Sequence, residues 1–170
     1  SLNRSGMGNV VLFYDKSFEL TEGTDLRLTQ GASLTIAENI SEVFPTSATI
    51  NGSIRIAGGN IVLQSGTTVR LGAAGKLDVS GDVAGQYTAA GRTVTVDGGA
   101  ISVEAAAIDI AAGAVLDVSG GAWLTTRSGK QTLKLGDAGE ITLVNVGNDD
   151  LAAVDMRAYA AGSGGSLRIR

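Results

Sequence analysis

The chain has 170 residues, long enough for one well-buried core, with nothing that requires two. Its 13 Lys/Arg against 17 Asp/Glu leave a net charge of −4, which argues against a nucleic-acid surface built on clustered cations. The absence of cysteine and histidine removes disulfides, thiolate or imidazole metal sites and histidine-based catalytic triads.

The first six residues, Ser1-Leu2-Asn3-Arg4-Ser5-Gly6, hold no apolar signal core, and no run reaches membrane-spanning length. The expectation is a mature or excised segment, or a cytosolic protein. Val10-Val11-Leu12-Phe13-Tyr14 predicts a strand within the most aromatic part of the chain. Leu26/Leu28 and Leu34/Ile36 are apolar pairs separated by one residue, so both members lie on one face of a strand. The stretch 38–45 breaks this rhythm as a loop or a single helical turn stopped at Pro45. Asn51-Gly52 signals either a hairpin turn or a corner of a larger winding.

From Ser53 the pairs become regular. Ile54/Ile56, Ile61/Leu63, Val69/Leu71 and Leu77/Val79 are followed by Val94/Val96, Ile101/Val103, Ile108/Ile110 and Leu116/Val118. The second four repeat the first four 39 or 40 residues on, and Leu77-Asp78-Val79-Ser80-Gly81 returns intact as Leu116-Asp117-Val118-Ser119-Gly120. Leu133/Leu135 and Ile141/Leu143 extend the series at the same offset. Connections of about three residues are too short for helical crossovers. Parallel strands joined in this way predict a solenoid in which each coil lies on the last.

Three strands per coil would give coils of roughly 22–26 residues and seven or so coils. One column would stack Ile54, Leu77 and Ile101, and another Val69, Val94, Leu116, Ile141 and Leu167. Two strands per coil would pair the columns differently. Irregular inserts are expected at 82–92, 125–132 and 145–164. Within the last, the alternation of Val154, Met156 and Ala158 favours a strand over a helix capped by Asp149 or Asp150. The chain reads as one all-β segment, less regular over 1–52 and regular over 53–170. Its closing Leu167-Arg168-Ile169-Arg170 is a strand signal that stops mid-pattern, as though the solenoid continues.

The candidates for chemistry are few, and no catalytic, metal or cofactor site is read from them. Asp78 and Asp117 occupy equivalent repeat positions, and stacked coils would bring such acids within roughly 5 Å. They are candidate ligand contacts or the solvated face of half-buried strands. Trp123 either stacks on a sugar ring or plugs the core. Arg55, Arg70, Arg92, Arg127, Lys130 and Lys134 either line a groove for an acidic polysaccharide or serve solubility. Asn3, Asn39 and Asn51 each begin an Asn-x-Ser sequon.

The phrases Gly113-Ala114-Val115-Leu116-Asp117-Val118-Ser119-Gly120-Gly121-Ala122 and Gly139-Glu140-Ile141-Thr142-Leu143 resemble repeats of filamentous-haemagglutinin-like exoproteins. The close, from Asp155 to Leu167, is similar to the same family. The resemblance covers residues 53–170 well and 1–50 poorly. It implies a right-handed parallel β-helix and a place in a large adhesin or toxin carrier of Gram-negative bacteria. Secretion to the surface through an outer-membrane transporter (two-partner secretion) is implied as well. The Asn-Pro-Asn export sequence of the family's mature N-terminus is absent, which favours an internal shaft segment.

The expected function is therefore structural and adhesive, not enzymatic, with no cofactor. Expected partners are the transporter during export, flanking coils, and a host-cell glycan or protein, but no nucleic acid. The alternatives are a polysaccharide-binding or polysaccharide-cleaving β-helix of the lyase or tailspike kind, and an export-recognition domain.

Overall fold

The computed structural model describes residues 8–39, 45–84, 94–146, 154–160 and 162–170. Among these the chain is all-β with no helix, and its strands are mostly parallel. Three parallel ladders are visited in turn. The first joins β1 (Asn9–Tyr14), β4 (Ser33–Glu38), the first half of β7 (Asn60–Leu71), the first half of β10 (Ala100–Ile110), β14 (Glu140–Val146) and β16 (Ser166–Ile169). The second joins β2 (Ser17–Leu20), β5 (Ser47–Ile50) and the second halves of β7 and β10. The third runs through β3 (Asp25–Arg27), β6 (Ser53–Arg55), β8 (Lys76–Asp78), β11 (Val115–Asp117) and β15 (Asp155–Arg157).

One strand can serve two ladders because β10 slips register against β7 between Ala105 and Ala107, and this irregularity turns the chain. Outside the ladders stands a small sheet of β9 (Val83–Ala84), β12 (Ala122–Arg127) and β13 (Lys130–Leu135), in which β12 and β13 are antiparallel.

The alternation that defines the strands also builds the core. Val10, Leu34, Ile61, Ile101, Ile141 and Leu167 are register partners along the first ladder. Phe18, Ala48, Val69 and Ile108 align along the second, and Leu26, Ile54, Leu77, Leu116 and Met156 along the third. Inward residues of all three ladders join in one hydrophobic cluster. Each fully buried Ile or Leu in it contributes about 1.5–3 kcal/mol. Parallel ladders closing on a common core are compatible with a β-helix.

The 39–40-residue repeat proves to be one pass of the chain. Ile61 partners Ile101, Val69 partners Ile108, Leu77 partners Leu116, and Ile101 partners Ile141. The expected columns are corrected accordingly. Ile54 does stack on Leu77, but Ile101 lies on Ile61; of the second column only Ile141 to Leu167 is a true step. The expected spacing suits Val10 to Leu34, 24 residues apart, and Ile141 to Leu167, 26 apart. Two consecutive passes are longer because residues leave the ladders between β8 and β10 and again between β11 and β14. The excursions differ by only one residue in length, so the sequence repeats with the period of a pass plus its excursion. Among the described residues six strands follow one another along the first ladder, against the seven or so coils expected.

Val94/Val96 and Leu133/Leu135, which matched the repeat by spacing, are not in the ladders. Val96 is buried and its carbonyl accepts the Gly121 amide, while Leu133 and Leu135 are 58% and 43% exposed. Asn51-Gly52 is a corner between β5 and β6, which belong to different ladders, and not a hairpin. The strand over 155–157 replaces the alternative helix there. The loop at 40–44, the insert at 85–93 with Arg92, the Asn3 sequon and residues 147–153 lie outside the described residues.

Where the third ladder returns to the first, the backbone of successive passes closes to a distance that only glycine permits. A Cβ on Gly99 would sit 1.7 Å from the Gly59 carbonyl oxygen, and one on Gly139 would sit 1.7 Å from that of Gly99. The same carbonyls accept the amides of Ala100 and Glu140, continuing the ladder through the corner.

Candidate functional site

The outward positions of the third ladder carry most of its charge. Arg27, Arg55, Asp78, Asp117 and Arg157 are register partners in that order. The repeat therefore does bring Asp78 and Asp117 onto adjacent strands. Their environments differ. The Asp78 side chain is 6% exposed, with Arg55 Nη1 at 2.6 Å and Lys76 Nζ at 3.2 Å. The Ser80 hydroxyl donates to its Oδ1 at 2.7 Å, and the Ser80 amide donates to the same atom at 3.1 Å.

Burial alone would raise the Asp78 pKa. The Ser80 hydroxyl, the Arg55 charge, the Ser80 amide and Lys76 together outweigh it and hold the carboxyl below its ordinary value. Asp78 is thus an anion with its oxygens taken up, unsuited to proton donation at neutral pH. Asp117 is half-buried and accepts the Ser119 amide at 3.0 Å. On its other side lies Arg157, which pairs with Asp155 and lowers that carboxyl's pKa.

Arg55 also approaches Asp82 at 3.9 Å, and Gln30 donates to the other Asp82 oxygen. A shallow depression of about 470 Å³ opens over Arg27, Arg55, Lys76 and Asp78. The network binds passes of the chain to one another: residue 30, residue 55 and residues 78–82 come from three separate segments. Among the described residues no group of three or more acids gathers as metal ligands.

A second polar cluster lies at the corner where the first ladder meets the second, and no sequence motif marked it. Thr46 donates its hydroxyl to Glu38 and lies 3.2 Å from the Ser65 hydroxyl. The Tyr14 hydroxyl donates to the Gln64 carbonyl at 3.0 Å. Burial chiefly raises the Tyr14 pKa, with Ser65 opposing and Glu38 adding. Its members are separated by up to 51 residues, from Tyr14 to Ser65, so only the register of the passes assembles it.

Trp123 is placed neither in the core nor beside Asp78 and Asp117. It stands half-buried in β12, opposite Lys134 of β13. The hairpin closes at Ser128 and Gly129, whose φ angles of 50° and 77° are those of a two-residue turn with both central residues left-handed. Such a turn matches the strand twist. The Ser128-Gly129 dipeptide between alternating segments was the signal available in the sequence; the expected irregular insert at 125–132 is instead this ordered ribbon. β13 is exposed along its whole length, as is Val83 of β9.

Comparison with protein-family models, with curated proteins and with solved structures yields no match to this chain.

Proposed function

We propose that this chain is a rod-forming segment of a large secreted exoprotein of the Gram-negative surface, which extends or presents an adhesive or toxic part of its parent. In this reading the three ladders wind as a right-handed parallel β-helix, the hand that parallel crossovers take almost without exception. The supporting observation is the stacking of successive passes in register, with six strands following one another along the first ladder. Five spacings of about 4.8 Å between them span roughly 24 Å.

A polysaccharide-cleaving β-helix would draw on Asp78 and Asp117 as a pair, and the oxygens of Asp78 are already taken by Arg55, Lys76 and Ser80. The sequence resemblance supplies the link to two-partner secretion and an outer-membrane transporter.

Antibodies raised against the purified chain test the reading on intact producing cells. Surface labelling that protease treatment removes, or antigen in the medium, is the expected result. Antigen found only after the cells are lysed would overturn it.

A further inference from the structure

The hairpin of β12 and β13 concentrates one sign of charge. Over residues 122–135 it carries Arg127, Lys130 and Lys134, three of the chain's 13 cations and none of its 17 anions; the rest has ten cations against 17 anions. Strand alternation puts Trp123 and Thr125 on one face of β12 and their register partners Lys134 and Thr132 on the same face of β13, together with Lys130. Among the described residues neither Lys130 nor Lys134 pairs with a carboxylate. The face thus combines an indole, two exposed ammonium groups and hydroxyls.

We propose that this face of the hairpin binds a linear acidic polysaccharide, with the Trp123 ring against one face of a sugar and Lys134 and Lys130 on successive carboxylate or sulfate groups. The proposal rests on the surface reading above and gives the segment a ligand. Lys130 and Lys134 are four residues apart along an extended strand, about 13 Å. One small anion cannot span that distance, but a polymer with recurring charges can.

Sparse charge also separates this ligand from nucleic acid, whose phosphates recur every ~1.7 Å, far more densely than two ammonium groups about 13 Å apart would match. An added peptide strand is disfavoured, because lysines spaced along an exposed edge oppose strand addition. An aromatic ring is the group that recognises the apolar face of a sugar, and Trp123 offers one outside the core.

The test is titration of the purified chain at low salt with polygalacturonate, dextran sulfate, neutral dextran and polyglutamate. Saturable binding to polygalacturonate or dextran sulfate, and not to dextran, is expected, and the preferred polymer tells carboxylate from sulfate. Trp123→Ala should weaken it about tenfold. The double variant Lys130→Gln/Lys134→Gln should weaken it at least as much, while Arg70→Gln, on the second ladder, should bind as the native chain does.

Unchanged melting curves confirm that these variants fold; Lys134→Glu, at an exposed position, serves in place of any that does not. Polyglutamate binding as tightly as the sugars would overturn the proposal in favour of an acidic peptide. Absence of binding to every polymer, or binding indifferent to the hairpin variants, would overturn it outright. Surface labelling of intact cells is unaffected by either result, so the two readings fail separately.

Discussion

Leu63 in β7 and Leu133 in β13 occupy strands of similar alternation, yet Leu63 is fully buried and Leu133 is 58% exposed. The strand β7 has a parallel neighbour on each side, and the other ladders cover its inward face. Among the described residues the strand β13 has one neighbour, β12, and it is exposed along its whole length. Alternation thus tells which residues share a face. Whether that face is covered depends on what the rest of the chain brings to it.

Six substitutions probe this contrast. Ile108→Asp places a charge between Val69 and the next pass, where Ile108 is 1% exposed, and should abolish the cooperative transition in a thermal melt. Leu63→Ala should cost about 3–4 kcal/mol in urea denaturation, whereas Leu133→Ala should cost under ~0.5. Equal losses for the two leucines would erase the distinction between stack and hairpin. Gly99→Ala, which drives a methyl into the Gly59 carbonyl, should cost about 2–3 kcal/mol by the same assay.

Asp78→Asn weakens a buried ionic cluster and should cost about 1–2 kcal/mol at neutral pH. Because the folded carboxyl titrates below its unfolded value, its contribution is present above about pH 4 and is lost as pH falls through the folded pKa. The difference between native chain and variant should therefore shrink in melts repeated near pH 3. Asp109→Ala removes an exposed pair with Arg70 (2.7 Å) and should change stability by less than ~0.5 kcal/mol. A loss comparable to that of Asp78→Asn would mean that burial does not set the worth of these pairs.

The residues that carried the reading differ in how local their signal was. Ile61/Leu63 and Leu116/Val118 announced inward faces through their immediate neighbours, and all four are buried. Val94/Val96 and Leu133/Leu135 gave the same local signal and left the ladders, because the excursions that contain them are paced like the repeat. Asp78 read as an outward residue of a half-buried strand, which it is by position. Its burial follows from Arg55 one pass earlier and from Ser80 at the turn. Trp123 carried no signal of its own, since its surroundings depend on the Ser128-Gly129 turn that brings Lys134 across from it.

The sequence by itself determined that the chain is all-β, where most ladder strands lie and which side chains share a face, because period-two alternation and glycine placement act over a few residues. Tertiary structure alone decided that 39–40 residues make one pass, that Asp78 is enclosed, and that the hairpin stands clear of the core. Each of these depends on which backbone lies 4.8 Å away, and that is set by how many residues leave the ladder between visits.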